Sequence, residues 1–144
     1  MMISTKGRYA LRIMLDLAEH DCEVYLPLRE IAQRQNISEK YLEIIIKILV
    51  QARFVQGLRG GKGGGYRLVR DPHTYTVGSI LKLTEGSLAP VACLECSPNT
   101  CERSQLCKTL PMWQKLDQMI DEYFEGITLA DLMNSSIDGN DYSI

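Results

Sequence analysis

Two runs of helical periodicity joined by a three-to-four-residue turn constrain this chain more than any other feature. Leu28, Ile31 and Ala32 mark a short helix that ends near Gln35 and Asn36. Ser38 then stands where an N-cap belongs, and Tyr41, Leu42, Ile45 and Leu49 follow on one face of a longer helix. Upstream, Ala10, Ile13, Met14 and Leu17 recur at helical spacing behind a cap at Ser4 or Thr5. Helix, short helix, tight turn and longer helix is the helix-turn-helix order.

Two β-prone runs come next, Phe54–Leu58 and Tyr66–Val69, with Arg59-Gly60-Gly61-Lys62-Gly63-Gly64-Gly65 between them. That is a hairpin with a glycine-rich, basic tip, and after a helix-turn-helix such a hairpin reads as a wing. A nucleotide-phosphate loop would need Gly-Lys-Ser/Thr and a helix opening behind the glycines, and neither is present. Val77–Leu83 continues as a helix until Gly86 and Pro90 break the pattern. Thr109 and Pro111 open a helix of about eighteen residues, ~27 Å long at ~1.5 Å per residue. Its apolar stripe is Trp113, Leu116, Ile120, Tyr123 and Ile127, with Met119 and Phe124 beside it and Gly126 at its C-cap. Such a stripe either packs on its own domain or pairs with the same helix of a second chain, and the second is expected here because helix-turn-helix proteins read two half-sites as dimers. Thr128 and Asp131 form a capping-box-like start for a last short helix. The fold class expected is mainly α with a small β-hairpin wing: a winged helix-turn-helix over 1–85, a cysteine-rich loop over 86–108, a dimerisation helix and short C-terminal helix over 109–135, and a loose polar tail over 136–144.

The chain is 45% hydrophobic and 24% charged over 144 residues, an ordinary globular balance. No apolar run approaches the ~20 residues that span a bilayer. The first residues, with Lys6, Arg8 and Arg12, do not form a signal peptide, so a cytoplasmic protein without membrane association is expected. The net charge of −2 hides a net of +4 over residues 1–75 and of −6 over 76–144. Lys47, Arg53, Arg59, Lys62, Arg67 and Arg70 lie between Glu43 and Asp71 with no acid among them. A basic stripe on an acidic protein suits a polyanion, although a solvated charged face would look the same.

Four of the five cysteines fall between residues 93 and 107. In a reducing compartment such a cluster binds metal or responds to redox rather than forming a disulfide scaffold. Cys93-x-x-Cys96 has the look of half a zinc site, and a thiol–disulfide switch is a further alternative. Cys22 stands apart and is expected to be a small buried hydrophobe. His20 and His73 are isolated and are expected at the surface or at helix ends. No nucleophile–base motif appears, so an enzyme is not expected.

Three stretches together, Ser4-Thr5-Lys6-Gly7-Arg8-Tyr9-Ala10-Leu11-Arg12, Ile37-Ser38-Glu39-Lys40-Tyr41-Leu42-Glu43, and Leu58-Arg59-Gly60 with the glycine run into Tyr66, resemble the IscR/NsrR/CymR family of bacterial winged-helix regulators. The likeness extends to Thr128-Leu129-Ala130-Asp131-Leu132. It implies a homodimer with a long crossing helix and, in many members, an iron–sulfur cluster held by three cysteines and a variable fourth ligand. Cys93, Cys101 and Cys107 fit the family's C-x7-C-x5-C form, and Cys96 is extra. The chain departs from the family at the fourth ligand. Leu110 stands where the IscR type has a histidine, and Arg8 where one NsrR type has an aspartate. Cys96, Glu95, Glu102 or a group from a partner subunit remain as alternatives. The CymR branch works without these cysteines and through a partner enzyme.

The helix opening at Ser38 is expected to present its first residues to DNA: Ser38, Lys40 and Tyr41 to phosphates and base edges, and Glu43 to a cytosine amino group. Core packing is the alternative for Tyr41. Arg59 would enter the minor groove and Lys62 would meet phosphate, while Lys6 and Arg8, with Ser4, would touch the backbone. The function expected is a DNA-binding transcriptional regulator, a repressor, sensing iron–sulfur cluster, redox or nitric oxide status through a 2Fe-2S or 4Fe-4S cluster on the cysteine loop. The alternatives are a CymR-type regulator with an enzyme partner and a zinc or thiol-switch regulator.

Overall fold

The computed structural model describes residues 3–20, 22–60, 63–95 and 102–135; the tail expected over 136–144 lies outside them. The chain runs α1 (Thr5–Ala18), α2 (Leu28–Gln35), α3 (Glu39–Gln51), β1 (Val55–Leu58), β2 (Gly65–Leu68), α4 (Val77–Glu85), α5 (Leu110–Glu125) and α6 (Leu129–Met133). Short 3-10 turns at Pro72–Thr74 and Ala92–Leu94 lie before and after α4. This is a mainly helical winged helix-turn-helix, as its periodicity predicts. β1 and β2 pair antiparallel from Val55 opposite Leu68 to Leu58 opposite Gly65. Leu26 and Tyr66 exchange two backbone hydrogen bonds of 2.8 Å, so the connector before α2 adds a one-residue third strand.

Local chemistry sets the ends of these elements. The Ser4 hydroxyl accepts from Gly7 N at the start of α1, and that of Ser38 accepts from Tyr41 N at the start of α3. Asn36 closes α2 with φ of 54°, a left-handed conformation that asparagine tolerates, and so turns the chain sharply into α3. Ile37, buried inside this turn, anchors it. Thr128 and Asp131 form both arms of a capping box on α6.

The apolar faces then meet in one core. Ala10, Ile13, Met14 and Leu17 of α1 pack with Ile31 of α2, Leu42, Ile45, Ile46 and Leu49 of α3, and Val55 and Leu68 of the wing. Leu129 of α6 is fully buried in the same core. Hydrogen bonds from Val77 N to Ile127 O and from Leu129 N to Tyr75 O bring the chain back there. A smaller cluster of Val77, Leu81 and Leu88 receives Ile120 and Phe124 of α5.

α5 has 16 residues, shorter than the eighteen its pattern suggests. Its apolar stripe also divides. Ile120 and Phe124 turn toward α4, while Met112, Leu116, Met119 and Tyr123 form an exposed row. Cys22 is exposed, against expectation, because it lies on the surface connector after α1, whose backbone groups need water. The histidines stand at helix ends: His20 Nδ1 lies 2.6 Å from Asp16 O, and His73 pairs with Asp71.

Among the described residues Asp16 is the only buried charged side chain. Its carboxylate accepts from Arg34 Nη2 at 2.7 Å, Arg34 Nε at 3.0 Å and Gln35 Nε2 at 2.8 Å. Burial pushes this carboxyl up, but the hydrogen bonds from Arg34 and Gln35 outweigh it and leave the group below its ordinary 3.8. The stability it contributes is therefore fully present above that ordinary value and is lost as the pH falls through the depressed native one. Arg34 keeps 34% of its side chain exposed, which reduces the cost of losing its partner. Asp16→Ala should lower unfolding stability by about 2–3 kcal/mol at neutral pH, somewhat less than for a fully buried pair. In urea titrations the gap to the parent chain should narrow as the pH drops below 3.8.

Candidate functional site

The outward side of α3 follows from its buried side. Leu42, Ile45, Ile46 and Leu49 face the core, so the opposite row at helical spacing is Lys40, Ile44, Lys47 and Gln51, all exposed. Glu43 flanks this row and pairs with Lys47, Oε1 to Nζ 3.7 Å. Tyr41 turns back toward α1: its ring meets that of Tyr9 edge-to-face at 5.7 Å, and it lies half-buried against the core. Ser38 is exposed, with its hydroxyl oxygen engaged in the cap. Ile44 directly precedes the buried Ile45 and Ile46 but faces the other way. Its distance from Lys40 and Lys47, four and three residues, was the signal that it faces outward.

The wing stands beside this row. Arg59 is exposed at its tip, and Lys62 lies outside the described residues. Lys47, Val50 and Gln51 of α3 and Leu58 and Arg59 of the wing line an open groove of about 640 Å³. The base of the hairpin is closed by one side chain. The fully buried Tyr75 donates its hydroxyl to Phe54 O at 2.8 Å and accepts from Val69 N and Arg70 N, both at 3.1 Å. The Arg70 guanidinium lies over the Tyr75 ring, 4.6 Å from its centre. Near the chain start, Arg8 is exposed and donates to Thr5 Oγ1, and Lys6 is half-buried one turn before the core residues of α1. Of the residues expected to meet DNA, Ser38, Lys40 and Glu43 are exposed on or beside α3 and Arg59 on the wing, Arg8 and Lys6 lie on α1, and Tyr41 packs against the core.

A second group lies on the far side of α4. Cys93 sits half-buried in the 3-10 turn Ala92–Leu94, and Cys107 half-buried just before α5. Cys96 and Cys101 lie outside the described residues, and among the described residues no three His, Cys, Asp or Glu side chains converge on a metal site. The donor chemistry of Cys107 nevertheless fits a metal-bound thiolate. Its Sγ is 3.3 Å from Thr109 Oγ1, and hydrogen bonding with Thr109, through the hydroxyl first and the backbone N–H next, pulls the thiol below its ordinary 9.0. Thr109 precedes α5 without capping it, so its hydroxyl is free for that role. Leu94, beside Cys93, lines a cleft of about 350 Å³ with Lys82, Asp117 and Asp121.

Polar contacts tie this group to α1 through α4. Lys82 Nζ reaches Asp121 at 2.6 Å and Glu125 at 3.0 Å on α5. Glu125 also accepts from the Thr76 hydroxyl, which caps α4. At the other end of α4, Glu85 Oε1 accepts from the Ser4 hydroxyl at 2.5 Å and from Ser4 N at 3.1 Å.

The model of a family described as "Rrf2: Iron-dependent Transcriptional regulator" matches residues 3–135. An HTH-type transcriptional regulator IscR of Vibrio campbellii is 35% identical over 136 residues, covering 94% of this chain and 79% of the relative. Protein rrf2 of Nitratidesulfovibrio vulgaris is 36% identical over 136 residues, covering 94% and 89%. Among solved structures, CymR, the global cysteine regulator of B. subtilis, matches with a TM-score of 0.76 at 34% identity, covering 94% of this chain and 98% of that one. IscR of T. potens matches with a TM-score of 0.72 at 35% identity, covering 99% and 97%.

Tyr75→Phe tests the positioning of the wing. It leaves Val69 N–H, Arg70 N–H and Phe54 C=O without their shared partner, at a cost of about 1–3 kcal/mol. Hydrogen exchange should accelerate at the Val69 and Arg70 amides more than in the α3 interior.

Proposed function

Because the chain belongs to the Rrf2 family of transcriptional regulators, we propose that it binds operator DNA as a homodimer and adjusts its affinity through an iron–sulfur cluster held on the cysteine loop. What supports the sensing part is the match to a family described as iron-dependent, together with four cysteines between residues 93 and 107, of which Cys93 follows α4 and Cys107 precedes α5. An iron–sulfur cluster supplies a centre whose presence or redox state changes with iron, oxygen or nitric oxide. Cys93, Cys101 and Cys107 are the cysteines assigned to it, with Cys96 as the local candidate for the fourth position. Cys107 holds the start of α5, and Cys93 holds the turn that follows α4. A shift in the loop between them moves α5 against α4, and the Lys82 and Glu85 contacts pass that shift to α1. Regulation then needs only that the two arrangements differ in DNA affinity.

On the DNA side, Lys40, Lys47, Arg59 and Lys62 supply the positive charge that phosphates attract, while Ser38 and the outward row of α3 face the major groove. The exposed row Met112, Leu116, Met119 and Tyr123 gives a second copy an apolar face to cover. A second reading draws on the likeness to CymR: a regulator that acts through a bound enzyme. The four clustered cysteines favour the cluster reading over it.

Anaerobically purified protein should be coloured and contain iron and acid-labile sulfide, and Cys101→Ala should remove both. Colourless protein with fully reduced thiols, no iron and no sulfide would refute the sensing role. Binding to a selected duplex should weaken with salt, and Lys62→Ala, which removes one phosphate contact from each subunit of the dimer, should lower the slope of log affinity against log salt by about two while weakening all sequences alike. A monomer that ignores every duplex in both cluster states would refute the reading as a whole.

A further inference from the structure

The geometry points to Ile44 as a specificity-determining residue of α3 that reads the 5-methyl group of a thymine. This inference rests on the DNA-binding reading above and adds the base class that one position selects. Of the outward row Lys40, Ile44, Lys47 and Gln51, Ile44 is the sole apolar member, and it is 48% exposed at the middle of the row. Its neighbours Ile45 and Ile46 are fully buried, so the core does not need a third isoleucine facing the other way. The charged side chains around it, Lys40, Glu43 and Lys47, are all exposed. Lys40 and Lys47 lie four residues before and three after it, and Glu43, the carboxylate expected to seek a cytosine amino group, is paired with Lys47.

That pairing matters for what the row can read. A carboxylate held by a lysine on its own helix has less to gain from a base amino group. Ile44 presents methyl groups and no donor or acceptor. In the major groove the one base feature that matches such a surface is the thymine methyl, whereas every other base edge offers a polar atom that Ile44 would strip of water without replacing. A β-branched side chain on a helix is also confined to one main rotamer, so Ile44 offers its methyls in a fixed direction at little further entropic cost.

The test uses the full-length protein, purified anaerobically, and a pool of random-sequence duplexes. After selection, each thymidine of the enriched site is replaced singly by deoxyuridine, which removes one methyl group and leaves the hydrogen-bonding edge unchanged. The expected result is one thymidine per half-site at which the replacement weakens binding by about three- to tenfold, the scale of one buried methyl group in a close apolar contact. Ile44→Ala should bind the thymidine and deoxyuridine duplexes alike, and its exposed position leaves folding intact, as a thermal melt checks. Two results overturn the inference while leaving DNA binding standing: no thymidine sensitive to the replacement, or an Ile44→Ala protein that keeps the same sensitivity. Failure to enrich any sequence overturns the DNA-binding reading itself.

Discussion

The Asp16 carboxylate is the contact on which the arrangement of α1, α2 and α3 depends. α1 and α2 meet across it, and α2 in turn sets the start of α3 through the three-residue turn at Asn36, Ile37 and Ser38. An apolar contact between α1 and α2 would hold them together without fixing their rotation. A carboxylate that accepts two bonds from the Arg34 fork and one from Gln35 fixes both distance and angle. Arg12 extends the same network, donating to the Gln35 side chain at 3.2 Å and to its backbone carbonyl. The arginine also lies over the Tyr9 ring, which in turn meets Tyr41 of α3. One polar cluster thus reaches all three helices of the helix-turn-helix.

α4 plays the corresponding part for the other half of the molecule. A carboxylate bridges it to each neighbour, Glu85 of α4 onto α1 and Glu125 of α5 onto α4, and in both places a glycine makes the approach feasible. A β-carbon at Gly7 would collide with Glu85 Oε1, and one at Gly78 would collide with Glu125 Oε1. Glu85 thereby lies against the first turn of α1, where the helix dipole favours an anion. Glu125 reaches over α4 to Thr76 and Lys82. In both places the atom that meets the glycine is the end of a glutamate side chain, so the small residue lets a polar contact form where two helices pack.

The apolar spacing made α1 to α4 legible, because each has one buried face and the 3.6-residue period reports it directly. The wing was legible from its glycines. Three things were not. Asp16 sits among Ile13, Met14 and Leu17 and looks like an interruption of the apolar face; its partners Arg34 and Gln35 lie eighteen and nineteen residues away, where no local pattern points. Leu129 belongs to the first core although α6 follows the long helix, because backbone bonds at Val77 and Leu129 fold that end back. Cys22 looks like a core residue by type, but its surroundings are set by a connector and not by a helical face. Ile44 was hidden because it directly precedes Ile45 and Ile46, which are buried, so that its outward direction shows only in its spacing from Lys40 and Lys47.

The exposed rows of α3 and α5 have the same spacing and opposite chemistry, and that contrast divides the work of the molecule. Lys40, Ile44, Lys47 and Gln51 form a charged row with one apolar member; Met112, Leu116, Met119 and Tyr123 form a row without charge. The first row loses little by staying in water and gains from an anionic partner, since phosphate contact releases condensed counterions. The second gains from any surface that excludes water, and the acids around it, Asp117, Asp121, Glu122 and Glu125, repel the same polyanion. The split between a net of +4 over the first 75 residues and −6 over the rest follows the same division, since the positive part carries α3 and the wing and the negative part carries α5.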